Sequence, residues 1–64
     1  MESISKEEFA CMCLETVNGC RYLYARQVGG IIDSVRHRFR VTVDGMTDAE
    51  LENYIKEELE NVFG

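Results

Sequence analysis

The strongest constraint on the fold is an amphipathic helical pattern in the last third of the chain. Apolar residues recur there every three or four positions, as they do on one face of a helix. They are Leu51, Ile55, Leu59 and Val62, flanked by Tyr54 and Phe63. The segment Thr47–Glu50 has the sequence of a capping box, with acidic residues where the helix dipole favours them. The sequence therefore predicts an acidic helix from about Thr47 to Phe63 whose apolar stripe must be buried.

A second helix is predicted near the start of the chain. Ser5 and Glu8 have the spacing of a capping box, and Asn18-Gly19 is a typical helix end. Phe9, Met12, Cys13, Thr16 and Val17 recur between them at helical spacing. These signals predict a helix from about Ser5 to Asn18. The alternative is a hairpin in which Asn18-Gly19 forms a type I′ turn.

The segment Val35–Val43 alternates in the manner of a half-buried strand. One face would carry Val35, His37, Phe39, Val41 and Val43, and the other would carry Arg36, Arg38, Arg40 and Thr42. A period of two residues over nine positions is typical of a strand with one solvated face. Asp44-Gly45 would end it.

The preceding segment, Cys20–Val28, is ambiguous. Alternation of Tyr22 and Tyr24 with apolar neighbours suits a strand, whereas Leu23, Gln27 and residues beyond them also fall on one side of a helix. Paired glycines at 29 and 30 favour a turn after a strand, since each costs roughly 1 kcal/mol in a helix interior.

These elements predict a single α+β domain over residues 1–64 in the order helix–strand–strand–helix. A short antiparallel sheet would be packed by both helices on its apolar face. A two-stranded sheet in a chain of 64 residues is marginal and has open edges. A homodimer, or strand addition from a partner, is therefore expected.

Charge is segregated along the chain, which has a net charge of −5. Five arginines in residues 21–43 are opposed only by Asp33, and seven acidic residues in residues 44–64 are opposed only by Lys56. Carboxylates on a rigid helix attract basic protein surfaces. The leading hypothesis is a small interaction module that binds and inhibits a larger host protein or ribonucleoprotein. The proposed contact residues are Glu50, Glu52, Glu57, Glu58 and Glu60.

In size and acidity the chain is similar to the broad class of small phage and mobile-element proteins that inhibit host machinery. This analogy is one of composition only.

The arginine-bearing strand face supports an alternative function. Arg36, Arg38 and Arg40 would project roughly 6–7 Å apart, close to the spacing of phosphates along an extended nucleic acid strand. A nucleic-acid-binding regulator is therefore the second hypothesis. The acidic pI of 4.7 argues against it.

A thiol-based metal or redox switch is the third hypothesis. Cys11, Cys13, Cys20 and His37 are the only full set of zinc ligands. On a helix, however, Cys11 and Cys13 would lie about 200° apart and could not face one ion. We therefore predict no metal, no cofactor and, since no nucleophile and base are brought together by the sequence, no enzymatic activity.

The sequence also predicts location. No basic region followed by an apolar run resembles a signal peptide, and even the longest uncharged runs, such as Phe9–Leu14, are far shorter than the ~20 residues that span a bilayer. An odd number of cysteines fits a reducing compartment. We expect a cytoplasmic protein without a membrane partner.

Overall fold

Three helices and two very short strands form the described part of the chain, residues 1–18 and 27–63 of a computed structural model. The strands are β1 (Glu2–Ser3) and β2 (Val41–Thr42). The helices are α1 (Lys6–Asn18), α2 (Val28–Phe39) and α3 (Asp48–Phe63). The predicted α+β fold with a helix–strand–strand–helix order is wrong, because these residues are mostly helical. The segment Cys20–Arg26, whose strand or helix assignment was ambiguous, lies outside the described residues.

The two terminal helices are confirmed, and their caps explain why they begin where they do. The amide of Glu8 donates to the Ser5 hydroxyl at 3.1 Å. At the start of α3 the amide of Glu50 donates to Thr47 Oγ1 at 3.2 Å, and the amide of Thr47 donates to Glu50 Oε1 at 2.9 Å. Such reciprocal bonds satisfy amides that have no partner inside the helix.

The predicted strand at Val35–Val43 is wrong because its first half belongs to α2. The apolar residues buried by α2 are Val28, Ile31, Ile32 and Val35. Their spacing is helical and places all four on one side, whereas a strand would divide them between two faces. The predicted turn at Gly29-Gly30 is wrong for the same reason, since both glycines lie in the first turn of α2.

The predicted antiparallel sheet is also wrong. The strand β1 pairs with β2 in parallel, with Glu2 opposite Val41 and Ser3 opposite Thr42. The amide of Glu2 donates to the carbonyl of Arg40 at 2.9 Å, and the amide of Ile4 donates to that of Thr42 at 2.8 Å. Parallel strands require a long connection, and here that connection contains α1 and α2.

The core lies where the three helices meet. From α1 and α2 it includes Phe9, Cys13, Val17, Ile31 and Val35, and from α3 it includes Leu51, Ile55 and Leu59. Burial of each large aliphatic side chain contributes about 1.5–3 kcal/mol. Two residues predicted to be buried are not: Val62 is 57% exposed and Phe39 is 41% exposed. Among the described helices, none is long and apolar enough to cross a membrane.

Arg40 terminates α2 in the left-handed conformation, with φ of 54° and ψ of 50°. This conformation costs a residue with a Cβ about 1 kcal/mol relative to glycine. We therefore expect Arg40→Gly to raise the free energy of unfolding by about 1 kcal/mol, measured by urea denaturation. The control is Arg38→Gly, which lies inside the helix and should lower it by a similar amount. Destabilisation by Arg40→Gly would contradict this account of the helix end.

Candidate functional site

The five predicted contact glutamates of α3 do not share one environment. Glu50 closes the cap of α3 through its bond from the Thr47 amide. That bond, and then the Thr47 side-chain hydroxyl, lower the pKa of the Glu50 carboxyl. Glu50 is nevertheless exposed, so the same carboxylate both stabilises the helix and faces solvent as a negative charge.

Glu58 belongs to the seam between α1 and α3. Its carboxylate neighbours the Tyr54 phenol. Desolvation of the phenol, and then the nearby Glu58 carboxylate, raise the pKa of Tyr54 to about 12. The Lys6 ammonium lies over the Tyr54 ring, 5.0 Å from its centroid. Glu58 is therefore half-buried beside Tyr54 and is not part of the outer surface of α3.

Glu52 lies on the opposite side of α3, at a cleft of about 180 Å³ between α2 and α3. The Arg36 guanidinium crosses this cleft and donates to Asp48 Oδ1 at 2.9 Å. Arg36 Nε is buried and has no acceptor among the described residues. This is the ion pair that the structure shows between the described helices, and it joins α2 to the first turn of α3.

The remaining two predicted glutamates, Glu57 and Glu60, are fully on the outer face of α3. At about 100° per residue, Glu50, Glu57 and Glu60 lie within about 80° of one another, opposite the buried Leu51, Ile55 and Leu59. All three are exposed. We call Glu50, Glu57 and Glu60 the acidic stripe; Lys56, the one basic residue of α3, lies at its margin, between Glu52 and Glu60.

The predicted arginine stripe is wrong, because its residues lie on a helix and not on a strand. Arg36 is half-buried and paired with Asp48, and Arg38 lies about 200° away around α2. Arg40 follows the end of the helix. Tyr22 and Tyr24, which belong to the ambiguous segment before α2, lie outside the described residues.

A different basic group results at the end of α2. The Arg38 guanidinium lies over the Phe39 ring, 5.7 Å from its centroid. Arg38 and Arg40 are exposed and form no ion pair within residues 1–18 and 27–63. We call Arg38, Phe39 and Arg40 the basic tip. The predicted strand placed Phe39 on its buried face, so nothing in the sequence indicated that Phe39 would be exposed beside two arginines.

Sequence reasoning also missed an open groove of about 620 Å³ between α1 and α2. Asp33, Ser34 and His37 line it, with Thr16 and Arg38. Ser34, His37 and Asp33, which could act as nucleophile, base and acid, are thus neighbours on one helix face. The predicted strand, which began at Val35, did not group them. In the described structure no hydrogen bond joins these three side chains, so the groove lacks the aligned contacts on which nucleophile activation depends.

The two described thiols differ in environment. Cys11 is exposed and Cys13 is buried, as expected for helix positions about 200° apart. Burial raises the pKa of the Cys13 thiol to about 12. Within the described residues no three His, Cys, Asp or Glu side chains are grouped to hold a metal ion. Cys20, the third cysteine of the metal hypothesis, lies outside them.

Comparisons with protein-family models, curated proteins and solved structures each found no significant match to this chain. Functional inference therefore depends on the geometry described above.

The difference between the thiols predicts selective alkylation. Because the thiolate is the reactive form, iodoacetamide should modify Cys11 at least about a hundredfold faster than Cys13 in the folded protein. Peptide mass spectrometry after timed quenching measures both rates. In urea the two rates should converge; equal rates in the native protein would contradict the burial of Cys13.

The cap predicts a pH-dependent contribution of Glu50 to stability. Its folded-state pKa is lowered, so the contribution is present above the unfolded pKa of ~4.3 and is lost as pH falls through the folded pKa. Urea denaturation should show Glu50→Gln less stable than the wild type at neutral pH. The difference in the free energy of unfolding between the two should disappear in acid. The control is Glu60→Gln, which removes a charge that is not at the helix cap. A difference for Glu50→Gln that does not depend on pH would contradict the role of the Glu50 charge.

Proposed function

We propose that this protein binds a basic surface of a larger protein or ribonucleoprotein through the acidic stripe and modulates it by occupying that surface. The observation that carries the proposal is the unneutralised state of the stripe. Within the described residues the structure shows one ion pair, Arg36–Asp48. Glu57 and Glu60 are not part of it. Of the five arginines in residues 21–43, the three that the structure describes are at the cleft and at the basic tip, and Arg21 and Arg26 lie outside the described residues.

The rigidity of α3 supports the same function. Thr47 and Glu50 fix its first turn, and three fully or nearly fully buried residues, Leu51, Ile55 and Leu59, fix its inner face. Glu57 and Glu60 are therefore presented in a fixed arrangement, so little conformational entropy of the backbone would be lost on binding. Pre-organised charge of one sign steers association with an opposite charge and makes the rate sensitive to salt.

The structure changes the basis of the two alternative functions. Nucleic acid binding depended on three arginines on one strand face, and that face does not exist. The thiol-based switch depended on a set that included both Cys11 and Cys13, and of these Cys11 is exposed whereas Cys13 is buried. Because Cys11 and Cys13 are free thiols, we propose that the protein acts in the reducing cytoplasm.

Charge reversal on the stripe tests the proposal. Glu57→Lys with Glu60→Lys should abolish capture of the partner and leave the fold intact, because both side chains are exposed. Quantitative mass spectrometry of proteins retained from a native lysate compares this variant with the wild type. We expect that the wild type retains a specific protein and that the variant retains at least about tenfold less of it, as is typical when a charged contact is removed.

The control changes the net charge equally at another surface. Glu2→Lys with Glu15→Lys reverses two exposed glutamates on β1 and α1. It should retain the binder. If no retained protein distinguishes the stripe variant from this control, the acidic stripe is not a binding surface.

A further inference from the structure

We propose that the basic tip binds the acidic stripe of a second copy of this chain. The proposal concerns Arg38, Phe39 and Arg40 as an interaction surface, and it does not depend on the partner suggested above.

The tip has features that the fold does not require. Phe39 is 41% exposed although its ring is apolar. Arg40 occupies a left-handed position where glycine would be easier. Strained and exposed residues of this kind concentrate where a surface serves binding. The cation over the ring makes Arg38 and Phe39 one amphipathic unit.

The charges of the tip have no counterpart in their own described chain. Arg36 is paired with Asp48, and Arg38 and Arg40 are not paired within residues 1–18 and 27–63. The acidic stripe is on the outer face of α3, turned away from the core that α2 contacts. A tip and a stripe that do not meet within one molecule can meet between two.

The spacing of the two groups also matches. Glu57 and Glu60 are neighbours one helical turn apart, with Cβ atoms about 5–6 Å from each other. Arg38 and Arg40 are two residues apart, which separates their Cα atoms by at most ~7 Å. Each arginine can therefore face one carboxylate, and contact would cover the exposed Phe39 ring. The acidic stripe of another copy supplies this complementary charge at the matching spacing.

Two different surfaces meet in this contact. In a closed pair the contact occurs twice about a two-fold axis, which makes the interface isologous. In an open chain it occurs once per junction and is heterologous. Since the stripe is shared, a basic partner and the tip of a second copy would compete for it. A defect in the tip would then weaken self-association alone, whereas a defect in the stripe would weaken both.

Sedimentation velocity of the purified chain tests the contact. At about 20 mM salt the wild type should self-associate as its concentration is raised toward the millimolar range, and at about 500 mM salt it should be monomeric because screening is then strong. A wild type that is monomeric at low salt, or an association that salt does not weaken, overturns the proposal.

Charge-swapped variants identify the surfaces. Arg38→Glu with Arg40→Glu reverses the tip, and Glu57→Lys with Glu60→Lys reverses the stripe. Each should associate with itself at least about tenfold more weakly than the wild type. An equimolar mixture of the two should associate again at low salt, because the acidic tip of one now meets the basic stripe of the other.

The mixture also controls for folding, because restored association requires both variants to be folded. Circular dichroism of each variant alone checks the helix content independently. Folded variants whose mixture stays monomeric overturn the pairing of tip with stripe, as does a tip variant that associates as strongly as the wild type.

Discussion

The described fold depends on the packing of α2 against the other two helices. Ile31 and Val35 have no exposed surface, and α2 contacts both α1 and α3. In a chain of this size the core is marginal, so removal of this one apolar face would leave the inner faces of the other helices exposed to water. The Arg36–Asp48 pair lies at the edge of the same contact. Because the Asp48 side chain is 86% exposed, this ion pair contributes little to stability.

The ends of the fold could be predicted from the sequence, and the middle could not. Ser5 and Thr47 mark helix starts through bonds to residues three positions away, so the signal is local. Between residues 28 and 43 two periodicities overlap. The alternation at Val35–Val43 is real in the sequence, but the helical period that begins at Val28 buries more apolar surface on one side. Only the presence of α1 and α3 decides between them, and that is tertiary information.

The same limit applies to the candidate site. Helical spacing correctly separates Glu57 and Glu60 from the apolar stripe. It does not reveal that Lys6 lies over Tyr54, or that Arg36 lies beside Asp48 and Glu52, because those neighbours come from packing. Segregated charge was visible in the sequence; which charges remain uncompensated at the surface was not.

The pairing of β1 with β2 has a consequence for the order in which the chain assembles. Glu2 and Val41 are about 40 residues apart in sequence, so bringing them together requires closure of a long loop. The neighbouring helices α2 and α3 can meet after a much shorter connection. During synthesis β1 therefore cannot take its place until the chain has been made through β2, well after α1 is complete. Because their side chains are exposed, they can also separate again without opening the core.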